Sequence, residues 1–365
     1  MSDRQQGNLR GPVMACTEEY SHPGVTGPDG KDYPGSHSVH ITDYDPDGRI
    51  LATRSHNSEG SQWSVRYDYD ASGRLRMTAS GNEGETSTTT TYSYDQQGRL
   101  QSISPGDRPG SPLSFRYDEQ GRKTKIAISR ADDFRPNVAV AGSPFGAADR
   151  APNLPGGGSA TTLHDEFDRP TEVEVRNAAG DLVGRTLRTY DTQGNVTEEK
   201  QVLDNLAMMV PPEVVGRMLE ESGLSADQLQ SELRTQLSKV IRHPSEPNAV
   251  SYRYDAHGRV NLTRRRILNW EDEIETTYND HGDIESEITR STRFDGATDT
   301  TSPTAVASYS EVRYGYGYDQ QKNWTEKTTS YRPTPDGTFQ PSTFVKRTLT
   351  YYESSSDFGR SSTLA

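Results

Sequence analysis

Histidines and carboxylates recur at fixed positions in this sequence, and metal binding is the first chemistry that they suggest. His257 and His281 each stand directly before a glycine, 24 residues apart, with Asp255, Asp280 and Asp283 close by. Imidazole and carboxylate groups are common ligands of zinc. Equivalent residues of neighbouring β-hairpins lie about 10 Å apart, or two strand spacings, which is too far for two ligands of one ion. We therefore expect exposed turn residues here, with no metal and no cofactor.

Short acidic stretches that end in glycine raise calcium binding as a second possibility, as in Asp45-Pro46-Asp47-Gly48. An EF-hand needs a ligand pattern of about 12 residues that ends in glutamate, and the sequence contains none. It also lacks the serine-hydrolase, zinc-protease, P-loop and dinucleotide-binding motifs. We therefore expect no catalytic residues and interpret the aspartates and glycines as parts of turns.

These turns belong to a repeated unit, which is clearest in Tyr94-Asp95-Gln96-Gln97-Gly98-Arg99-Leu100. An aspartate at the first turn position accepts hydrogen bonds from backbone N–H groups, and a glycine at the fourth adopts positive φ without a Cβ clash. The preceding residues, Thr88 to Tyr94, are mostly β-branched or aromatic, which favours a strand. Each unit is therefore predicted to be a β-hairpin closed by an Asp-x-x-Gly turn.

The unit recurs along the chain at a nearly constant spacing, since Tyr44, Tyr69 and Tyr94 are 25 residues apart. A period of this length is typical of repeat proteins, in which each unit buries its apolar face only against its neighbours. Phe167-Asp168 and Tyr318-Asp319 are interpreted as the starts of two degenerate copies that lack the glycine. The predicted structural turn positions are Asp45, Gly48, Asp70, Gly73, Asp95, Gly98, Asp118, Gly121, Asp191, Gly194, Asp255, Gly258 and Gly282.

Five copies, which begin at Tyr44, Tyr69, Tyr94, Tyr117 and Tyr254, keep the tyrosine, aspartate, glycine and arginine together. This pattern resembles the YD repeat of the Rhs family, which includes bacterial Rhs proteins, the cocoon subunits of Tc toxin complexes and teneurins. The resemblance covers roughly residues 38–352 and implies a strip of hairpins that spirals into a shell, sometimes around a toxic polypeptide. A self-cleaving core segment and a toxin are not recognisable in the sequence, so we expect neither autoproteolysis nor an intrinsic toxin.

Composition narrows the class of protein and of partner. Hydrophobic residues make up only 30% of the chain, and 19 tyrosines outnumber 8 phenylalanines, which suits thin sheets that are wet on one side. The net charge of −13 disfavours nucleic acid as a partner, because nucleic acid requires a basic surface. The single cysteine excludes an intrachain disulfide, and we expect no membrane span. The sequence indicates neither a compartment nor an oligomeric state.

Interruptions of the repeat divide the chain into segments. Residues 1–36 are polar and are predicted to form an irregular arm that caps or plugs the array, and residues 131–160 to form a Pro- and Gly-rich loop. Residues 204–244 show helical spacing of apolar residues, with Pro212 in a first turn and Ser225 as a cap, and predict an inserted helical hairpin. The YD repeats occupy residues 37–130, 161–203 and 245–352, and a polar tail occupies residues 353–365.

We predict a mostly β fold, in which an antiparallel array of YD hairpins forms a curved strip, a partial shell or a small barrel with one inserted helical hairpin. The expected function is non-enzymatic: a structural or encapsulating module for a protein partner or an enclosed polypeptide, related to a toxin-delivery or cell-surface system. A carbohydrate-binding surface on the Tyr-rich strands is the alternative, and an enzyme with a repeat-lined cleft is a third hypothesis. The exposure of Tyr67, Tyr92, Tyr94 and Tyr316 separates the first two.

Overall fold

A computed structural model of the chain describes residues 2–26, 31–82, 88–106, 113–128, 158–205, 212–238, 243, 246–294 and 305–353. The helices are α1 (Asp3–Gln6), α2 (Pro212–Ser222) and α3 (Ala226–Ser238). The strands are β1 (Val13–His22), β2 (Val25–Thr26), β3 (Asp32–Tyr33), β4 (Ser36–Tyr44), β5 (Ile50–Asn57), β6 (Gln62–Tyr69), β7 (Leu75–Asn82), β8 (Thr88–Tyr94), β9 (Leu100–Pro105), β10 (Leu113–Tyr117), β11 (Lys123–Ile128), β12 (Gly158–His164), β13 (Pro170–Asn177), β14 (Leu182–Tyr190), β15 (Val196–Leu203), β16 (Asn248–Tyr254), β17 (Val260–Ile267), β18 (Trp270–Tyr278), β19 (Ile284–Phe294), β20 (Ala305–Tyr318), β21 (Trp324–Arg332) and β22 (Gln340–Tyr351). Within these ranges, no helix has the length and apolar character that crossing a membrane requires.

Twenty of the strands form one closed ring of antiparallel pairs. From β4 to β22, each strand pairs with the next in sequence. The first strand, β1, closes the ring because it pairs with β22 on one edge and with β4 on the other. The mostly β, antiparallel prediction is confirmed. A curved strip and a partial shell are wrong, because closure leaves no strand edge with unpaired N–H and C=O groups. A small barrel is wrong because the ring has 20 strands.

The closing strand also corrects the interpretation of residues 1–36 as an irregular arm that serves as a cap or plug. Residues 13–22 of that segment are a strand of the barrel wall itself. Glu18 lies between the apolar residues Cys16 and Tyr20 of this strand, so the sequence of the strand is polar. In the barrel, Glu18 forms an ion pair with Arg347 of β22 at 2.6 Å. The charge is therefore neutralised by a partner that lies at the other end of the sequence.

The two ends of the barrel differ in their connections. Every Asp-x-x-Gly turn joins an even-numbered strand to the next odd-numbered one, and alternating strand direction places all of these turns at one end, which we call the turn end. The opposite end, the loop end, carries the other connections, including α2 and α3 between β15 and β16. Residues 129–157, which contain most of the predicted Pro- and Gly-rich loop, lie outside the described residues, as does the predicted tail after residue 353.

The inserted helical hairpin has the signals that the sequence predicts. The α2 helix ends at Gly223, whose φ is +66° and whose N–H donates to the Leu219 carbonyl. Ser225 caps α3, since its Oγ accepts from the Gln228 N–H at 3.3 Å and the Gln228 side chain accepts from the Ser225 N–H at 2.8 Å. This reciprocal pair satisfies two backbone donors at the start of the helix.

Side chains alternate between the two faces of the wall, and most buried apolar side chains of the strands share one face. Cross-strand register places Tyr92 opposite Ile103 and Ile103 opposite Leu113 on that face. We assign it to the inside, because the concave face of a closed sheet is the more crowded one. The buried apolar residues on the inner face include Cys16, Ile103, Leu113, Phe115, Ile126, Ala160, Val173, Val250 and Val345.

No single core connects these residues within the described ranges. The largest clusters of buried hydrophobic side chains contain four residues each, such as Ile103, Leu113, Phe115 and Ile126. The diameter of a barrel grows with its strand number, and a ring of 20 strands is wider than the side chains of its own wall can fill. The fold therefore encloses a lumen.

Candidate functional site

The Asp-x-x-Gly turns share one geometry, which Asp95 illustrates. Its Oδ1 accepts from the N–H groups of Gln97 at 3.0 Å and Arg99 at 2.9 Å. Its Oδ2 accepts from the Arg99 Nε at 2.7 Å. Gly98 has a φ of +78°, a conformation that side chains with a Cβ rarely adopt. One carboxylate thus organises the turn and fixes the arginine that follows it.

The other predicted turn positions have the same arrangement. The aspartates at 45, 70, 118, 191 and 255 each accept from the backbone N–H four residues later. The glycines at 48, 73, 121, 194, 258 and 282 all have φ between +75° and +88°. Asn279 takes the aspartate position before Gly282 and accepts from the His281 N–H at 2.9 Å. The predicted turn positions are therefore brought together only as a row of turns at one end of the barrel.

The register of one degenerate copy was wrong. The turn aspartate is Asp165, three residues before the predicted Asp168, and its Oδ2 accepts from the Arg169 Nε at 2.8 Å. Asp168 occupies the glycine position with a φ of +62°. In the second degenerate copy, Lys322 occupies that position with a φ of +63°. Asparagine and aspartate tolerate this region better than lysine does, so the lysine is held there by the surrounding hairpin.

A ladder of arginines links five of the turns to the tyrosine of the following hairpin. The guanidinium of Arg74 lies 4.9 Å from the ring centroid of Tyr94 in the following hairpin, and that of Arg99 lies 4.6 Å from Tyr117. The same contact joins Arg49 to Tyr69, Arg169 to Tyr190 and Arg259 to Tyr278. Cations over aromatic faces are attracted by the ring quadrupole. This role of the repeat arginine was not predicted from the sequence, although its regular recurrence was visible there.

The same tyrosines form a second link through their hydroxyl groups. The Tyr94 hydroxyl donates to the Leu75 carbonyl at 2.7 Å, and the Tyr117 hydroxyl donates to the Leu100 carbonyl at 2.8 Å. Equivalent bonds are donated by Tyr69, Tyr190, Tyr254, Tyr278 and Tyr316. Each of these tyrosines therefore fastens its hairpin to the preceding one, and together they form a row at the turn end, which we call the tyrosine rim. Between the Asp118 and Asp165 turns, the link is an ion pair of Arg122 with Asp168 at 2.6 Å.

The electrostatics of the rim favour charged aspartates. The backbone N–H of Arg259 lowers the pKa of Asp255 to about 2, against an opposing effect of desolvation, and the Arg259 guanidinium adds to the lowering. The backbone N–H of Arg74, followed by its side chain, likewise lowers the pKa of Asp70. Hydrogen bonds to a charged carboxylate favour that form. These carboxylates are committed to turn structure and are poor candidates for proton transfer at neutral pH.

The amino-terminal segment completes the rim where the first and last turns meet. Asn323, which is 2% exposed, accepts from the Arg10 N–H at 2.7 Å and donates to the Arg10 carbonyl at 2.9 Å. On the other side, the Arg4 N–H donates to the Gly48 carbonyl at 3.0 Å, and the Asp3 carboxylate accepts from the Ile50 N–H at 2.9 Å. Residues 2–12 thus take the place of a tenth turn between Asp319–Asn323 and Asp45–Arg49.

The inner wall between β19 and β1 carries paired charges and aromatic rings. The Tyr314 hydroxyl donates to Glu287 at 2.6 Å, and the Lys327 ammonium lies 4.5 Å from the Tyr314 ring centroid. Burial lowers the pKa of Lys327. Burial also raises the pKa of the Cys16 thiol to about 11, so this cysteine is protonated at neutral pH and is not an activated nucleophile. The arrangement suits a polar and aromatic lining better than a reaction centre.

The two histidines that first suggested a metal lie in separate turns. The His257 N–H donates to Asp255 at 2.8 Å, and the His281 ring stacks on Tyr318 with centroids 4.0 Å apart. Among the described residues, no group of three or more histidine, cysteine, aspartate or glutamate side chains is placed to hold a metal ion.

Comparison with known proteins does not identify a family. No family model matches the chain, and no curated protein matches it. Among solved structures, a porin-like protein from Bacteroides uniformis is 9% identical and has a TM-score of 0.34, over 93% of this chain and 98% of that chain. MucB in complex with MucA is 11% identical and has a TM-score of 0.12, over 92% of this chain and 88% of that chain. Scores this low do not establish a shared fold.

Proposed function

We propose that this chain is a non-enzymatic YD-repeat shell that encloses a polypeptide in its lumen. The observation that carries the proposal is the closure of the wall by β1, which pairs with both β22 and β4. A strip or an open sheet has two outer faces, whereas a closed wall has an inside that is distinct from its outside. Enclosure is thus the function for which this architecture is best suited.

The tyrosine rim supports the proposal because it stiffens one end of the wall. A hollow barrel lacks the central core that stabilises an ordinary domain. Here, cation–π contacts at 4.4–5.3 Å and tyrosine hydrogen bonds tie most hairpins to a neighbour. A shell needs such lateral links in order to keep its shape when its lumen is empty or newly filled.

The chemistry of the inner wall supports a polypeptide as the enclosed molecule. The wall combines apolar patches, such as the cluster around Ile103, with hydroxyl groups and charges that are already paired, such as Glu18 with Arg347. Paired charges repel neither sign of charge strongly, and tyrosine offers apolar area together with a hydrogen-bonding tip. A mixed wall of this kind accommodates a chain of mixed polarity without selecting one small ligand.

The strand tyrosines do not favour the carbohydrate alternative. Tyr67, Tyr92, Tyr94 and Tyr316 are all half-buried. The hydroxyl groups of Tyr94 and Tyr316 donate to the backbone carbonyls of neighbouring hairpins at 2.7 and 2.9 Å. Sugar stacking needs an accessible ring face, and these rings already serve the wall. We therefore propose enclosure as the function of the Tyr-rich strands.

Cysteine labelling on the two faces of one strand tests enclosure. In a Cys16→Ser background, Thr78→Cys places a thiol on the inner face of β7, and Ala79→Cys places one on the outer face as a matched control; both native residues are half-buried. A small maleimide should label both positions. A polyethylene-glycol maleimide too large to enter the lumen should label only residue 79. Equal labelling by the large reagent at the two positions would refute an enclosed lumen.

Native mass spectrometry of the purified full-length chain tests the polypeptide part of the proposal. A complex of the chain with a polypeptide in its lumen should survive gentle ionisation and dissociate on denaturation. The bound polypeptide should also reduce labelling of Thr78→Cys by the small maleimide. Restored labelling at residue 78 after mild release of that polypeptide is the expected result. A bound polypeptide that leaves labelling at residue 78 unchanged would lie outside the barrel and contradict the proposal.

A further inference from the structure

A separate pocket lies at the loop end of the barrel wall, away from the tyrosine rim. It has a volume of about 230 Å³ and opens between β4, β5, β6 and β7. The indole of Trp63 lines it and is 47% exposed. A large aromatic ring costs free energy when it faces water, so an exposed ring in a concave site is a candidate for ligand contact.

Strand register shows how the pocket is built. His40 lies opposite Ser55, Ser55 lies opposite Trp63, and Trp63 lies opposite Asn82. These four residues therefore form a row across four strands on the inner face, about 14 Å long at three strand spacings. One aromatic ring is thus flanked by a hydroxyl group on one side and a carboxamide on the other.

The neighbouring loop holds a further amide in a defined position. The Asn57 Oδ1 accepts from the N–H groups of Glu59 at 3.1 Å and Ser61 at 3.0 Å. These bonds fix the side chain at the edge of the pocket before any ligand arrives. Preorganised polar groups lose less entropy on binding than mobile ones do.

The charge of the lining limits the class of ligand. None of the residues that line this pocket is Asp, Glu, Lys or Arg, although these residues make up 25% of the chain. By contrast, the pocket around Arg264, Glu271 and Arg290 is lined mainly by charged side chains. Phosphates and carboxylates are bound most often by charge-assisted hydrogen bonds from Arg and Lys, and this lining contains neither. The ligand expected here is uncharged and rich in hydroxyl groups.

We propose that the Trp63 pocket binds a neutral saccharide. The apolar C–H face of a pyranose ring stacks on the indole, and its equatorial hydroxyl groups exchange hydrogen bonds with Ser55, His40 and the flanking amides. The length of the row suits a short oligosaccharide. This site uses a different residue and a different end of the barrel from the tyrosine rim.

Isothermal titration of the full-length chain with maltotriose, cellotriose and chitotriose as neutral probes, and trigalacturonate as a charged one, tests the proposal. We expect at least one neutral probe to bind and Trp63→Ala to weaken that binding by about tenfold or more, the effect of losing one stacked ring. Trp270→Ala is the matched control, since Trp270 is 46% exposed but has the Arg293 guanidinium 5.5 Å from its ring. This control should leave the affinity unchanged.

A second variant guards against a fold defect in Trp63→Ala. Ser55→Gln places a longer uncharged side chain beside the indole and should abolish binding while Trp63 remains. The proposal is overturned if none of the neutral probes binds, if trigalacturonate binds as tightly as they do, or if Trp63→Ala and Trp270→Ala behave alike. Near-ultraviolet circular dichroism verifies that each variant keeps its tertiary structure.

Discussion

Alanine at Gly73 should destabilise the barrel more than alanine at Gly194, although the two glycines occupy equivalent turns. Both have positive φ, +76° and +88° respectively. A Cβ at residue 73 would overlap the Arg49 Nη1, whereas a Cβ at residue 194 would meet no atom within 4 Å. The first change therefore forces Arg49 away from the face of Tyr69, and the second imposes backbone strain alone.

The magnitudes follow from these two effects. A residue with a Cβ in the left-handed region costs about 1–2 kcal/mol, so Gly194→Ala should lower the free energy of unfolding by about that amount. Losing the contact between Arg49 and Tyr69 adds about 0.5–1 kcal/mol, typical of an exposed cation–π pair. Gly73→Ala should therefore cost about 1.5–3 kcal/mol. Urea unfolding followed by circular dichroism gives both values, provided that the slope of the transition is unchanged.

A double-mutant cycle isolates the arginine contribution. In an Arg49→Gln background the obstructing guanidinium is gone, so Gly73→Ala should cost no more than Gly194→Ala does. A coupling energy near zero between residues 49 and 73 would show that Gly73→Ala does not act through Arg49. Wild-type stability in both single glycine variants would refute the positive-φ argument itself.

Three further predictions concern closure, pH and the insertion. Removing residues 2–22 deletes β1 and leaves β4 and β22 with unpaired edges, so the truncated chain should self-associate. A monodisperse monomer by light scattering, with unchanged stability, would contradict this. The folded-state pKa of Asp255 is lowered from 3.8 to about 2. The stability that its charged form gives to the fold is therefore complete above pH 4 and is lost as the pH falls towards 2. Asp255→Asn should flatten the acid side of the pH–stability curve, and an identical curve would refute the assignment. Replacing residues 205–243 by a short loop should leave the β-sheet circular dichroism intact, because long insertions between closed ends cost little entropy, and loss of that signal would place the helices in the core.

The turns were the most predictable part of the molecule because their information is local. Asp95, Gly98 and Arg99 interact within five residues of one another, and Ser225 caps its helix through a residue three positions away. Hydrogen bonds of this range are encoded by the order of residue types alone. In the degenerate copy, the turn was assigned to the wrong aspartate. Asp165 and Asp168 are both aspartates, and the local pattern does not show which one opens the turn.

The sequence by itself determined the hairpin unit, its repetition, the helical hairpin and the absence of an intrachain disulfide. Tertiary structure alone decided that the array closes, that β1 is the closing strand, and that the repeat arginines and tyrosines link successive hairpins. Closure joins Glu18 to Arg347, which are 329 positions apart. Such a pairing depends on the summed twist and tilt of 20 strands, and no short stretch of sequence contains that sum.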